Sequence, residues 1–460
     1  MKMSFRSELR LTPAAIRLVA VAGLCSVLHA WTTPERVDRR PGGYVANSPA
    51  IAVEPGGIVH ATWTETQASH YRDKIMYAFR DGDTWSIPAN ISRDSGDIRF
   101  PAIALDTLGR AVVVWSQEGT AVVRYVRQVD DTWSLPKLCF PNNGITPRLV
   151  SDSRGQIHLL FEDLAHQGGI WYSYYVAEAD SWATPTRVAL GIWTLGWSSL
   201  AVDRFDHLHA VWMDWGTYGI GYTFNDGTGW STPTALPDPA PGEYSCEPRI
   251  TVDTAARPHV VWQERSGGYW LYYSVMTADT WTTPRELCSQ SAFGPVICCD
   301  SSDRLHVAWD GEDGLQHVQS EDTGWASPEY VVKDTAQGEI AADRNIVHVL
   351  WRDSHWNIGY SNNGVPGVGE ATNTGSSPIG LQMTTSSGWL VSRFSLKAGG
   401  RVVLSVFDVD GRCMLKRNLG MLGVGVHVVE LRPDSLPAGS YFGSLKTNAE
   451  NQVVKFAIVE

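Results

Sequence analysis

Carboxylates recur at one position of a repeated sequence pattern. Seven segments of the chain contain an aromatic residue at an equivalent place, and the residue two positions later is acidic in five of them: Glu65, Asp163, Asp214, Glu264 and Asp353. Two carboxyl groups about 5–5.5 Å or about 6.5–9.5 Å apart could catalyse glycoside hydrolysis. A carboxylate in nearly every repeat instead favours turn residues or acceptors for sugar hydroxyls. We treat Asp163, Asp214 and Glu264 as catalytic candidates, and Glu65 and Asp353 as binding candidates.

Charged residues interrupt a second equivalent position, which alternation along the first predicted strand of each repeat places toward a central axis. Four repeats have Ala50, Ala102, Ser199 and Val296 there, whereas the other three have Arg148, Arg249 and Glu339. Two convergent guanidinium groups could bind a carboxylate, sulfate or phosphate through paired hydrogen bonds. The alternative is that one arginine forms a structural ion pair with Glu339.

Several aromatic residues do not follow the repeat and fall in the predicted loops. Five of them are candidates for ligand binding: Trp193, Trp215, Tyr218, Trp270 and Trp356. Aromatic faces beside carboxylates and amides are typical of sugar-binding surfaces, because the faces cover C–H groups while polar atoms bind hydroxyls. The alternative is that these side chains fill the larger loops.

Six histidines stand three residues before the repeated aromatic: His60, His158, His209, His259, His306 and His348. An acidic residue precedes each by five or six positions, which predicts a hydrogen bond across a hairpin. Histidines in separate repeats would be too far apart to share an ion at metal–nitrogen distances of about 2.0–2.1 Å. Because the cysteines also lack metal-type spacing, we predict no metal site and no cofactor.

The repeat itself predicts the fold. The second-strand aromatic recurs about every 48 residues from Trp63 to Trp351, and a Trp-x-x-Pro element recurs seven times, at Trp31, Trp85, Trp133, Trp182, Trp230, Trp281 and Trp325. Each unit has room for four short strands, which is typical of a β-propeller blade. Since Trp31 precedes the first unit and the last unit lacks the element, the amino-terminal segment should supply the outer strand of the seventh blade. This pairing would close the ring.

Composition and charge narrow the function. The chain has 460 residues with 20 Trp, 43 Gly and 24 Pro, and a net charge of −12. An acidic chain without a basic patch is not expected to bind nucleic acid. Residues 1–30 carry basic residues before a short apolar stretch and resemble a secretory signal peptide. No later stretch has the 18 apolar residues of a membrane-spanning helix.

The turn before each Trp-x-x-Pro, as in Asp81-Gly82-Asp83-Thr84-Trp85, resembles the Asp-box (BNR) turn of the sialidase superfamily. The repeats are also similar to the blades of seven-bladed bacterial lectins. Both resemblances cover residues 31–364. The chain differs from sialidases in having seven repeats rather than six, two inner arginines rather than three, and no Arg-Ile-Pro element before the first repeat.

The carboxy-terminal segment resembles the sorting domain of type IX secretion cargo. The motifs that carry the resemblance lie at 403–412, 425–427, 436–441 and 455–459. This resemblance implies an immunoglobulin-like sandwich over residues 379–460 that contacts the outer-membrane secretion machinery and carries no chemistry. A Gly/Ser/Thr-rich linker over 365–378 separates it from the repeats.

The sequence thus predicts an all-β protein, a seven-bladed propeller closed by its amino-terminal strand and followed by a small sandwich. We expect a secreted or surface-displayed bacterial protein that binds a glycan or other small polar ligand on the loop face. A sialidase-like hydrolase or lyase and a protein-interaction module are the alternatives.

Overall fold

A computed structural model describes residues 31–364 and 382–458, apart from short gaps. The gaps are 40–43, 68–71, 83, 94–95, 130–131, 141–143, 164–167, 191–196, 323 and 335–336 in the first part, and 387–388, 397–399, 409–411, 424, 432–435, 437–438 and 448–450 in the second. The predicted signal peptide and linker lie outside the described residues.

Seven antiparallel sheets of four or five strands follow one another along the described part of residues 31–364. The seventh sheet includes β1 (Glu35–Arg36), the first described strand. Sheet 1 contains β2 (Tyr44–Val53), β3 (Val59–Gln67), β4 (Arg72–Asp81), β5 (Thr84–Trp85) and β6 (Ala89–Asn90). Sheet 2 contains β7 (Ile98–Leu105), β8 (Ala111–Gln117), β9 (Val122–Val129), β10 (Thr132–Trp133) and β11 (Lys137–Leu138). Sheet 3 contains β12 (Ile145–Ser151), β13 (Ile157–Glu162), β14 (Gly169–Val176), β15 (Ser181–Trp182) and β16 (Thr186–Leu190).

The remaining sheets of the ring repeat this plan. Sheet 4 contains β17 (Ser198–Val202), β18 (Leu208–Asp214), β19 (Gly219–Asn225) and β20 (Thr234–Ala235). Sheet 5 contains β21 (Tyr244–Val252), β22 (Pro258–Arg265), β23 (Trp270–Thr277), β24 (Thr280–Trp281) and β25 (Arg285–Cys288). Sheet 6 contains β26 (Ala292–Cys299), β27 (Leu305–Gly311), β28 (Gly314–Glu321), β29 (Gly324–Trp325) and β30 (Glu329–Val332). Sheet 7 contains β31 (Gln337–Asp343), β32 (Ile346–Arg352) and β33 (Ile358–Asn362) beside β1. Two short 3₁₀ helices span Glu118–Thr120 and Ala177–Ala179.

The first strands of the sheets form a ring. Each first strand contacts the first strand of the following sheet, and β31 contacts β2. The second strand of each sheet is covered on both faces, so β8 and β13 are buried along nearly their whole length. This explains why their sequences are continuous apolar runs without alternation. The all-β class and the propeller architecture predicted from the repeat are confirmed.

The amino-terminal strand completes sheet 7, as the phase of the repeat predicts. Glu35 and Arg36 of β1 pair antiparallel with Tyr360 and Gly359 of β33. Val37 and Asp38 are fully buried beside this strand. The Ile358 N–H donates to the Asp38 carboxylate at 3.1 Å.

Neighbouring sheets are joined by an aromatic contact that recurs around the ring. The third strand of each sheet carries an aromatic ring, Tyr in six sheets and His317 in sheet 6. This ring contacts, edge to face, the Trp of the Trp-x-x-Pro element that belongs to the following sheet. The centroid distances are 4.8–5.9 Å for Tyr77–Trp133, Tyr125–Trp182, Tyr172–Trp230, Tyr222–Trp281, Tyr273–Trp325, His317–Trp31 and Tyr360–Trp85. Each such pair stabilises by about 0.5–1.5 kcal/mol beyond its burial. The Trp-x-x-Pro element therefore fixes each sheet to the one before it.

The repeated histidines form hydrogen bonds with these third-strand aromatic side chains and fix their positions. His60 shares one hydrogen bond with the Tyr77 hydroxyl at 2.8 Å and another with Glu54 at 2.9 Å. The corresponding acid is 3.2 Å from His259 and from His306. It is 3.6 Å from His158 and from His209, too far for the predicted hydrogen bond, and the Nε2 atoms of these two histidines have no hydrogen-bond partner among the described residues. The expected acid contact is absent at His348, whose Nε2 has no hydrogen-bond partner among the described residues. Burial, with the nearby Arg80, lowers the pKa of His348 to about 4, so this histidine is a neutral structural group.

Two further sheets follow the ring. One contains β34 (Gln382–Ser386), β35 (Trp389–Leu396) and β38 (Gly425–Leu431), and the other contains β36 (Gly400–Phe407), β37 (Cys413–Leu422), β39 (Gly439–Lys446) and β40 (Asn451–Ile458). Phe394 and Leu404, from different sheets, belong to one buried apolar cluster. The carboxy-terminal segment is therefore a β-sandwich.

We expect Trp182→Ala to lower the free energy of unfolding by about 3–5 kcal/mol, because it removes a buried indole that joins two sheets. Trp182 is 7 % exposed and contacts Tyr125 edge to face. Urea unfolding followed by circular dichroism measures the change. The matched control is Trp356→Ala, because this indole is 41 % exposed and takes part in none of the seven aromatic contacts between sheets. Its loss should lower the free energy of unfolding by less than about 1 kcal/mol. Equal losses in the two variants would contradict the stated role of the contact.

Candidate functional site

The first strands carry β-bulges near their amino-terminal ends, and these ends all lie at the same end of the ring. In sheets 1, 2, 3, 5 and 6 the pairing register with the second strand shifts, and one residue at the shift is in the left-handed region. These residues, with φ between 46° and 54°, are Ser48, Phe100, Thr146, Glu247 and Gly294. Each immediately precedes a proline. A bulge redirects the side chain and interrupts the regular pairing locally.

Sheets 4 and 7 lack the proline, and their register runs without a shift. The equivalent residues there are Trp197 and Gln337. We call the seven equivalent residues the mouth ring: Ser48, Phe100, Thr146, Trp197, Glu247, Gly294 and Gln337. All except Thr146 line one cavity of about 250 Å³ where the first strands converge.

The predicted charged positions meet in this cavity. Arg148, Arg249 and Glu339 all contribute to its wall. Arg249 Nη2 lies 3.2 Å from Glu339 Oε1, so this pair forms the ion pair named above as the alternative. Arg148 Nε donates to the Ser198 carbonyl oxygen at 3.1 Å. The sequence argument therefore identified three side chains that share one cavity, and an ion pair involves two of them.

The electrostatic environment of Arg148 is unfavourable to its own charge. Burial and the neighbouring Arg249 lower the pKa of Arg148 to about 10, although Glu339 and Glu162 partly oppose this effect. Glu162 is 1 % exposed and accepts a hydrogen bond from the Ser198 hydroxyl at 3.0 Å. With a pKa of about 10, the Arg148 guanidinium is charged at neutral pH and is repelled by Arg249. An anionic group placed between them would relieve their repulsion.

An aromatic cluster extends from this cavity. Trp197, in the cavity wall, stacks on Trp215 with ring centroids 6.1 Å apart. Trp215 contacts Tyr218 and Tyr244, whose rings are 4.5 Å apart. Tyr218 and Tyr244 are each more than a third exposed, so the cluster presents aromatic surface to solvent.

Arg265 extends the cluster toward sheet 6. Its guanidinium lies 5.8 Å from the Trp197 ring centroid and 5.5 Å from that of Tyr269. Tyr269 in turn contacts Phe293 at 4.4 Å. Because cations bind aromatic faces, Arg265 connects the two halves of the aromatic surface.

The candidate carboxylates lie elsewhere. None of the five is among the described residues that line the cavity. Asp214 Oδ1 accepts the Gly216 N–H at 2.8 Å, and Asp353 Oδ1 accepts the N–H groups of His355 and Asn357 at 2.9 and 2.7 Å. Asp214 and Asp353 therefore stabilise turns.

The other three carboxylates are buried. Glu65, Asp163 and Glu264 are 6 %, 4 % and 0 % exposed. Burial raises the pKa of Glu264, which the hydrogen bond from Ser245, 2.6 Å long, partly opposes. A raised pKa is typical of a general acid, but the described structure gives Glu264 no access to the cavity.

The remaining aromatic candidates are dispersed. Trp270 begins β23 opposite Glu264 in the strand register, and Trp356 stacks under the Arg352 guanidinium at 4.4 Å. Trp193 lies outside the described residues. Within those residues, the structure brings only Trp215 and Tyr218 of the five candidates into the aromatic cluster that adjoins the cavity.

Sequence reasoning missed the mouth ring. Alternation places these residues, two positions before Arg148 and its equivalents, on the same face of the strand, but the sequence argument ended its inner rings at Arg148 and its equivalents. The usable signal was the proline that follows Ser48, Phe100, Thr146, Glu247 and Gly294 at an equivalent position in five repeats.

One group of possible metal ligands occurs in the described part of the chain. Asp334, Asp353 and His355 have ligand atoms within 4.8 Å of one another. Both Asp353 oxygens already accept hydrogen bonds within their turn, one of them from the Asn357 side chain at 2.8 Å. The turn accounts for the position of this carboxylate without a metal ion.

Comparison with known proteins gives similarity in structure only. No protein-family model matches the chain, and no curated protein matches its sequence. A solved ulvan lyase has a TM-score of 0.49 at 12 % identity, covering 70 % of this chain and 95 % of its own. A Penicillium chrysogenum α-L-arabinanase has a TM-score of 0.44 at 13 % identity, covering 72 % and 98 %. The Hadza microbial sialidase Hz136 has a TM-score of 0.40 at 12 % identity, covering 69 % and 65 %. These likenesses are weak and concern architecture alone.

No helix in the described residues is long and apolar enough to cross a membrane.

The pKa shifts predict opposite pH dependences at two carboxylates. A carboxyl group whose pKa is raised on folding destabilises the folded state at high pH, and this effect disappears below the ordinary glutamate pKa of about 4.3. We therefore expect the stability of Glu264→Gln relative to wild type to increase between pH 4 and pH 7. The increase is about 1.4 kcal/mol for each pH unit by which burial raises the pKa.

Asp180 is the control of opposite sign. Burial alone would raise its pKa, but hydrogen bonds from Lys137, Tyr175 and Arg127 outweigh burial and lower it to about 2. The stabilising effect of this carboxylate is lost as pH falls through that value. The free energy of unfolding of Asp180→Asn, relative to that of wild type, should therefore decrease as pH rises from 2 to 5. Urea unfolding at a series of pH values checks both, and parallel pH profiles for the two variants would contradict the assignment.

Proposed function

We propose that this chain is a carbohydrate-binding β-propeller whose ligand carries an acidic group, bound at the mouth of the central cavity. The observation that carries the proposal is that Arg148, Arg249 and Trp197 line one cavity from which an aromatic surface extends. Guanidinium groups bind carboxylates and sulfates, and aromatic faces bind the C–H faces of sugars.

The size of the cavity supports one sugar unit as the inserted group. The cavity has a volume of about 250 Å³. Sites for drug-sized ligands typically have volumes of about 300–1,000 Å³, so this cavity is slightly smaller than that range. The adjoining Trp215, Tyr218 and Tyr244 surface would then contact the following units. The acidic group of the inserted unit would be directed toward Arg148, where it relieves the repulsion from Arg249.

Binding is favoured over catalysis by the positions of the carboxylates. The described residues that line the cavity include two acidic side chains, Glu247 and Glu339. Glu339 is paired with Arg249, and Glu247 accepts the Gly294 N–H at 2.8 Å. Both carboxylates thus have structural partners within the wall.

The proposed location is outside the cell or on its surface. The predicted signal peptide at 1–30 and the likeness of 379–460 to type IX sorting domains support this location. The β-sandwich observed over residues 382–458 is compatible with a sorting domain that contacts the secretion machinery. In this proposal the propeller binds the ligand and the sandwich serves export alone.

We expect the wild-type chain to bind uronate-, sialate- or sulfate-bearing glycans on an array and to leave neutral glycans unbound. Arg148→Met should weaken binding of the best acidic glycan by roughly 10- to 150-fold, because a hydrogen bond to a charged group contributes about 1.5–3 kcal/mol. Trp215→Ala should weaken it about 3- to 10-fold. Isothermal titration calorimetry measures both effects.

Arg257→Met is the matched control, since Arg257 lies at the opposite end of sheet 5 and pairs with Asp253 at 2.6 Å. Its binding should equal that of wild type. Shortening of the bound polysaccharide would support the hydrolase or lyase alternative. Absence of glycan binding, with capture of a defined protein partner, would support the interaction module and overturn the proposal.

A further inference from the structure

The mouth ring is built at an energetic cost. A left-handed backbone conformation destabilises any residue other than glycine by about 1–3 kcal/mol. Such strain persists where the surrounding structure imposes the conformation. Four residues of the ring other than glycine have this conformation: Ser48, Phe100, Thr146 and Glu247. In each case the following proline and the shifted register hold the residue in place.

The bulges have a common consequence for the side chains. Phe100 and Ala102 both line the cavity although they are two residues apart across a register shift, and so do Glu247 and Arg249. The bulged strands of sheets 1, 2 and 5 therefore each contribute a side chain at the mouth, from Ser48, Phe100 and Glu247, and another one level deeper. The deeper level holds the arginines, and the mouth level holds the ring.

The mouth ring has an apolar side and a polar side. Its aromatic members, Phe100 and Trp197, come from sheets 2 and 4. Its polar members that line the cavity, Glu247, Gln337 and Ser48, come from sheets 5, 7 and 1. A pyranose ring has the same division, with C–H groups on one face and hydroxyls around its edge.

Glu247 gives the mouth a negative charge at a defined place. Its Oε2 accepts the Gly294 N–H at 2.8 Å, which holds the carboxylate beside sheet 6. The side chain is partly exposed at the cavity wall. An acidic group of a ligand at this level would meet a like charge, whereas one at the deeper level would meet Arg148.

We propose that the six mouth-ring residues that line the cavity orient the inserted sugar unit and that Glu247 makes the site selective for a unit with a single acidic group. This inference rests on the proposed function and adds a specificity-determining residue to it. Phe100 and Trp197 cover the C–H face, while Gln337 and Ser48 bind hydroxyls. Glu247 rejects a second acidic group by repulsion, which is how binding sites commonly achieve specificity.

The test compares a glucuronate-terminated disaccharide with the same disaccharide carrying one sulfate on the glucuronate unit. The wild-type chain should bind the unsulfated form at least about fivefold more tightly, since like charges close together at a partly buried site repel strongly. Glu247→Gln keeps an acceptor for the Gly294 N–H and removes the charge. This variant should reduce the preference about fivefold or more, while binding of the unsulfated form changes less than about threefold.

A second pair of variants distinguishes the contribution of the mouth side chains to binding from that of the backbone conformation. Phe100→Gly and Thr146→Gly both place glycine where φ is +53° or +46°. Thr146 is 4 % exposed and is not among the described residues that line the cavity. Phe100→Gly should weaken binding of the unsulfated disaccharide about 3- to 10-fold, and Thr146→Gly should leave it unchanged.

The outcomes distinguish this inference from the function on which it rests. If the wild-type chain binds no acidic glycan, the proposed function fails. If Arg148→Met weakens binding as expected but Glu247→Gln leaves the preference unchanged, the proposed function stands and the selectivity assigned to Glu247 is overturned. Equal loss of affinity in the two glycine variants would overturn the role of the mouth ring, because it would show that the bulge geometry alone matters.

Discussion

The edge-to-face contact between a third-strand aromatic ring and the Trp-x-x-Pro tryptophan of the following sheet is the interaction on which the rest of the structure depends. It occurs between every consecutive pair of sheets in the described ring, and Tyr360 with Trp85 makes the closing contact. Hydrogen bonds with the repeated histidines fix the third-strand rings, as between His60 and Tyr77 and between His259 and Tyr273. Because each sheet is fixed to its neighbour at its outer part, the first strands must converge at the axis.

Sheets 2 and 6 show that this contact tolerates changes in its support. In sheet 2 the histidine is replaced by Val112, and the Tyr125 hydroxyl donates instead to the Asp180 carbonyl oxygen at 2.7 Å. In sheet 6 the tyrosine is replaced by His317, which keeps the edge contact with Trp31. The aromatic contact is thus retained while its hydrogen-bond partners vary, which identifies the contact as the structural requirement.

Convergence at the axis explains why the cavity combines strain with partly buried charge. Most first strands have small side chains at the axis, and the exceptions are Arg148, Arg249 and Glu339, whose charged groups are partly withdrawn from water at a cost in free energy. The bulges add backbone strain at the same end of the ring. Proteins tolerate such costs at binding sites, where they place side chains for a ligand. The repeated carboxylates differ, because Asp214 and Asp353 satisfy backbone N–H groups in their own turns.

Much of the fold was predictable from the sequence, because it depends on patterns that are local in the chain. The period of the repeat determined the all-β class, the four-strand units and the closure by the amino-terminal strand, since each requires only turn residues and apolar positions at fixed spacing. The sequence also identified Arg148, Arg249 and Glu339 as residues that break the repeat. The tertiary structure alone decided which partners these residues have, that Trp197 connects them to Trp215, and that Glu264 is buried away from them. These relations depend on contacts between sheets and on how loop residues pack against the strands, so spacing along the chain does not determine them.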